Sequence, residues 1–101
     1  MSLARVTETI AGDELTRFQV DCLAALRAIG PCKGLAIKAL LIGRYDTEVN
    51  HGRLYPNLDQ LVELGLVEKG RRDKRTNEYT LTDQGEEVLD ARIDWLAGVD
   101  R

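Results

Sequence analysis

The sequence predicts a mainly α-helical domain with one small β-hairpin, on three observations. Apolar residues recur at helical spacing over about 15–29, 34–45, 54–64 and 83–97, so four segments each offer a stripe to a shared core. Between the third and fourth, residues 66–82 change to short runs of strand formers around a polar turn. Glycine or proline closes two of the helical stretches, at Gly30-Pro31 and Gly65. Three helices, a hairpin and one more helix make the outline of a winged helix-turn-helix, with the last helix left over for another role.

Residues 1–12, MSLARVTETIAG, have no clean period and are expected to form a flexible arm ahead of a domain spanning 13–82. Thr16 with Gln19 three positions later is a capping-box pattern, and the helix it opens presents Leu15, Phe18, Cys22, Ala25, Leu26 and Ile29 on one face. A second helix over 34–45 has Leu35, Leu40 and Leu41 available to the core, and 44–49 reads as a short polar connection. Two helices joined this closely are a helix-turn-helix, the first bracing the second.

The third helix carries the clearest pattern. Leu54, Leu58, Leu61 and Val62 fall at i, i+4, i+7 and i+8, on one strip facing a core. Pro56 lacks a backbone donor, so the regular helix is expected to start nearer Leu54 than Asn50. Arg53, Asn57 and Gln60 share the outward face, with Asp59 and Glu63 to one side. Such a face suits base edges, because arginine forks onto guanine acceptors and asparagine or glutamine pairs with adenine. Asn50 and His51 sit at the mouth of the helix, where a phosphate is the expected contact; His51 is the only histidine and has no second ligand for a metal.

In the hairpin, residues 66–68 and 78–82 read as strands and DKRTN as the turn. Lys69, Arg71, Arg72, Lys74 and Arg75 stand against Asp73 alone, a local net of +4 on a chain whose net charge is −3. The remaining residues therefore sum to −7, and a positive loop on an acidic body is a localised footprint for phosphate.

The run HGRLYPNLDQLVELGLVEKG, the basic turn and YTLTDQG together resemble the PadR-type winged-helix transcriptional regulators, in particular small versions from salt-adapted archaea, over roughly residues 15–97. The resemblance implies a homodimeric regulator, a repressor by expectation, that places one recognition helix per subunit in the major groove of double-stranded DNA and lays its wing along the backbone. Some small members bind flat aromatic effectors between dimer-related helices, and Trp95 is the residue here that could stack on one.

After the wing, Thr82 is an N-cap for a last helix from Asp83 to about Ala97. Val88, Leu89, Ile93, Trp95, Leu96 and Val99 spread over an arc of roughly 160°, wider than packing on one body needs. The surplus assigns 83–101 to dimerisation, and a two-fold dimer matches an inverted-repeat operator.

Composition narrows the rest. A chain of 101 residues with 44% apolar and 31% charged residues is one ordinary globular domain. No stretch approaches the roughly 20 apolar residues of a membrane span, so a cytoplasmic location is expected. Ten arginines against four lysines, with nine aspartates, hint at salt adaptation. No Ser/His/Asp set, paired-cysteine metal motif or Gly-rich phosphate loop occurs, so neither catalysis nor a cofactor is expected. Cys22 falls on a buried face, whereas Cys32, after Pro31, is expected in an exposed loop where a redox role stays open. Two readings compete with plain DNA binding: a winged-helix adaptor whose wing meets an acidic protein, and a redox- or ligand-responsive regulator.

Overall fold

The computed structural model describes residues 15–45 and 49–98. The expected arm at 1–12 and the C-terminal Val99 lie outside them. The elements in order are α1 (Arg17–Ile29), α2 (Gly34–Tyr45), α3 (His51–Glu63), β1 (Val67–Arg71), β2 (Asn77–Leu81) and α4 (Asp83–Gly98). This is the winged helix-turn-helix that the element order predicts.

The capping box closes as read. Gln19 N–H donates to Thr16 Oγ1 at 3.1 Å, and Thr16 N–H donates to Gln19 Oε1 at 3.0 Å. At the other end Gly30 has φ of 86° and its N–H reaches the Leu26 carbonyl at 2.8 Å. α1 is central, touching α2, α3, β2 and α4, so its buried arc is broad: Leu23 and Gln19 are buried along with Phe18, Cys22, Ala25 and Leu26. Ile29 was expected on that face and is exposed; the buried strip runs through Leu23 and Leu26 and has rotated away from it by the last turn.

In α2 the core residues are Ile37 and Leu41, while Leu35 and Leu40 face outward. Gly34, Ile37 and Leu41, at i, i+3 and i+7, share the inner face, and Tyr55 lies over Gly34 so closely that a Cβ there would come within 2.6 Å of the ring. Arg44 and Tyr45 complete α2 and are not part of the connection.

α3 begins three residues earlier than expected. Asn50 caps it, its Oδ1 accepting the Arg53 N–H at 2.8 Å and its carbonyl accepting the Leu54 N–H at 3.1 Å. Pro56 is thus well inside the helix and removes only its own hydrogen bond, leaving the capped first turn intact. Leu54, Leu58 and Leu61 are completely buried. The helix ends in a Schellman turn: Gly65 has φ of 79°, Gly65 N–H bonds the Val62 carbonyl and Leu66 N–H bonds the Leu61 carbonyl.

β1 and β2 pair antiparallel, with Val67 opposite Leu81 and Arg71 opposite Asn77. β1 is longer than read and β2 is shifted one residue toward the turn, so Lys69 and Arg71 belong to β1 and the turn is 72–76. Cys32 adds a bridge to the free edge of β2, its N–H donating to the Tyr79 carbonyl at 3.1 Å and its carbonyl accepting the Tyr79 N–H at 2.8 Å. That pairing buries Cys32, against the expectation of an exposed loop thiol, and burial pushes its pKa up.

Thr82 starts α4 as expected, its Oγ1 accepting the Gly85 N–H at 3.0 Å while donating to the Gly65 carbonyl at 2.8 Å. Gly85 sits so close to β1 that a Cβ would fall 2.2 Å from the Leu66 carbonyl oxygen. Arg27 of α1 fastens the next turn through Glu86 at 2.6 Å and Asp90 at 2.7 Å. No helix among the described residues is long and apolar enough to cross a membrane.

Candidate nucleic-acid interface

The N-terminal half of α3 holds Arg53 on an aromatic bed. Its guanidinium carbon lies 4.1 Å from the Phe18 ring centroid, with the Phe18 and Tyr45 rings 6.3 Å apart and the Arg17 guanidinium 5.6 Å from Tyr45. A guanidinium stacked this way keeps its N–H edges free to fork onto acceptors. Arg17 pairs only loosely with Asp21, at 3.8 Å, and its side chain is almost wholly exposed. Tyr45 donates its hydroxyl to Asp21, which joins the end of α2 to the start of α1. His51 meets Tyr55 edge to face at 5.6 Å, and the described residues contain no cluster able to hold a metal.

Asn57 and Gln60 are placed differently from Arg53. Gln19, buried on α1, donates Nε2 to Asn57 Oδ1 at 3.0 Å and to Gln60 Oε1 at 2.7 Å. Asn57 also donates Nδ2 to the Arg53 carbonyl at 2.7 Å. Asn57 is half-buried in this network, so the expected outward face is continuous only through Arg53 and Gln60.

The wing divides its cations into two groups. Lys69 is bonded to Asp59 at 3.0 Å, tying β1 to the C-terminal half of α3, and that hydrogen bond raises the lysine pKa. Arg72 is paired across the hairpin with Glu78 at 3.2 Å. Arg71, Lys74 and Arg75 have no acidic partner among the described residues, and Arg71 donates to the Lys74 carbonyl at 3.2 Å. Asp73 is spent on the turn: its Oδ1 accepts the N–H groups of Arg75 and Thr76 at 2.9 Å each, and the Arg75 bond leads in lowering its pKa.

The sequence matches the model of the transcriptional regulator PadR-like family over residues 22–91, which spans the recognition helix and the wing. The chain belongs to the PadR-like family. RosR of Halobacterium salinarum is 52% identical, with a TM-score of 0.78 over 82% of this chain and 74% of that one. In a complex structure, RosR gives 50% identity and a TM-score of 0.80 over 84% and 75%. The winged-helix DNA-binding protein F93 from STIV shares the fold at 17% identity, with a TM-score of 0.72 over 85% of this chain and 95% of F93. No curated protein matches the chain. Double-stranded DNA binding is the function this family implies.

Of the residues expected at a dimer interface, Val88 and Leu89 are buried within their own chain. The reason is the close seat of Gly85 on Leu66, which draws the first half of α4 into the core. Ile93, Trp95 and Leu96 remain exposed, Trp95 at 65%. An open groove of about 480 Å³ lies between α1 and α2, lined in part by Ala24, Ala28, Leu40 and Arg44, and Trp95 is not among its lining residues. Sequence reading overlooked Phe18 and Gln19 as supports and Arg17 as a flanking cation. The capping-box pattern named Gln19, but only its backbone-side bond is visible at that spacing.

Proposed function

We propose that this PadR-like protein is a cytoplasmic, sequence-specific repressor that binds an inverted-repeat operator as a homodimer. The observation that carries the reading is Arg53 held on Phe18 at the exposed end of a recognition helix, 4.1 Å from the ring. Arg53 and Gln60 read base edges, with Asn50, His51 and Asn57 near them; Arg71, Lys74 and Arg75 hold phosphates, and Lys69 and Arg72 orient the wing. Phosphate contacts supply affinity and register, and helix contacts supply sequence choice. The exposed Ile93, Trp95 and Leu96 support a second copy as the partner of α4, since three large apolar side chains on one exposed helix end favour association. A dimer so placed on its operator would block access to it, hence a repressor.

The test is selection of bound duplexes from a random library, with the affinity of the enriched pool followed across a salt series. Enrichment of an inverted repeat, with affinity falling steeply as salt rises, supports the reading. A pool with no enriched sequence at any salt overturns it and turns attention to an acidic protein partner for the wing.

A further inference from the structure

Given the DNA-binding reading above, a polarity fixed inside the protein decides what the recognition helix can ask of a base. The hydrogen-bond series begins at the backbone N–H of Thr16, which can only donate, and its acceptor is Gln19 Oε1 at 3.0 Å. The Gln19 amide is therefore held with Nε2 on its other side, and the two hydrogens there go to Asn57 Oδ1 and Gln60 Oε1. At the far end Asn57 Nδ2 donates to the backbone carbonyl of Arg53, which can only accept. Backbone groups at both ends thus set the sense of every bond between them. Gln19 is only 4% exposed, so water cannot stand in if an amide turns over.

The consequence reaches the surface. Asn57 has its oxygen turned inward and an N–H committed, so it lacks the outward donor-acceptor fork that pairs with adenine. Gln60 has its oxygen committed to Gln19, and its NH₂ has no partner among the described residues. Arg53 offers donors only. We infer that Gln19, buried beneath the recognition helix, is a positioning residue that makes the Arg53–Gln60 face donor-only, so that the base it selects in the major groove is guanine, with its adjacent N7 and O6 acceptors, and not adenine.

The experiment compares duplexes selected by the wild type, Gln60→Ala, Gln60→Glu and Gln19→Met, each checked for folding by circular dichroism. The position randomised by Gln60→Ala identifies the base under Gln60, and in the wild type it is guanine. Gln60→Glu still accepts from Gln19 but turns an acceptor outward, so preference there moves by about tenfold toward cytosine or adenine, whose amino groups donate. Gln19→Met keeps the length and removes the polarity; Gln60 is then free to turn over, and the guanine preference falls to about twofold with nonspecific affinity unchanged. Adenine at that position in the wild type, or guanine retained at full strength by folded Gln19→Met, overturns the inference. Should Gln19→Met not fold, guanine retained by Gln60→Glu overturns it alone, and a shift to cytosine or adenine supports it. A wild type that enriches an operator lacking guanine there sinks this inference only, whereas one that enriches nothing sinks the DNA-binding reading as well.

Discussion

Arg53 lies over the Phe18 ring, 4.1 Å from guanidinium carbon to ring centroid, and so couples the recognition helix to the first helix through a residue that is also exposed. Arg53→Ala is expected to cost about 1–3 kcal/mol on the preferred site and to flatten specificity. Arg53→Lys keeps the charge but loses the planar fork and its stacking, so it should recover nonspecific affinity and little of the specificity. Competition binding with specific and random duplexes measures both; equal recovery of the two by lysine would show that the stack does not matter.

The wing should titrate unevenly against salt. Lys74→Ala and Arg75→Ala are each expected to lower the slope of log affinity against log salt by about 0.9, the amount for one phosphate contact. Arg72→Ala should lower it less, because Arg72 is already paired with Glu78. Glu78→Gln releases Arg72 and should steepen the slope.

Gly85 and Gly43 make a matched pair for stability. A Cβ at Gly85 would overlap the Leu66 carbonyl, whereas one at Gly43 meets nothing within 4 Å. Gly85→Ala should cost at least about 2 kcal/mol by displacing α4 from β1. Gly43→Ala, inside α2, should add about 0.5–1 kcal/mol by restricting the unfolded chain. Thermal melting of the two variants should move in opposite directions.

Alkali should unfold the protein before its arginines matter. Burial pushes Cys22 up to about 12 from an ordinary value of 9.0, and burial with the hydrogen bond to Asp21 pushes Tyr45 up to about 12 from 10.0. Both groups hold the proton more tightly when folded, so their contribution is complete below the ordinary values and is lost as pH rises toward about 12. The melting temperature should fall across that window, less steeply in Tyr45→Phe. Neither Cys22 nor Cys32 should react with a thiol reagent at pH 8 until the chain is unfolded, since both are buried.

Trp95 is the sole tryptophan, and it is exposed in the single chain, so its emission reports association directly. On the proposal that α4 joins two copies, dilution should shift the emission to longer wavelength, and Leu96→Glu should show the shifted spectrum at every concentration. A monomer mass at high concentration with an unshifted, solvent-exposed spectrum would rule out a dimer through this helix.

The parts of the fold legible in the sequence are those fixed by local chemistry. Thr16 and Gln19 announced a cap, the leucines at 54, 58 and 61 announced a buried strip, and Gly65 announced its end. α2 is harder because its apolar residues surround the helix, so periodicity does not choose Ile37 over Leu35; the face that is buried is the one turned to α1, with Tyr55 of α3 over Gly34. The start of α3 differs from the sequence expectation because the Asn50 cap sets it and Pro56, inside the helix, does not. Within the site, charges and their spacing were readable, but which cations are free was not: Glu78 and Asp59 reach the wing only once strands and helix are in place. Cys32 shows the same limit, since its neighbour Tyr79 is supplied by a distant strand.

The link between Cys32 and Tyr79 also governs how the protein can bend. With β2 paired to β1 along one edge and held to Cys32 along the other through both backbone groups of Tyr79, the base of the hairpin is fixed on two sides. The tip, Arg72 to Thr76, is closed by its own bonds, from the Arg72 N–H to the Thr76 carbonyl and from two N–H groups to Asp73, so the entropy lost on fitting to a duplex falls mainly on the side chains of Lys74 and Arg75. The wing therefore meets its ligand in an orientation settled before any encounter.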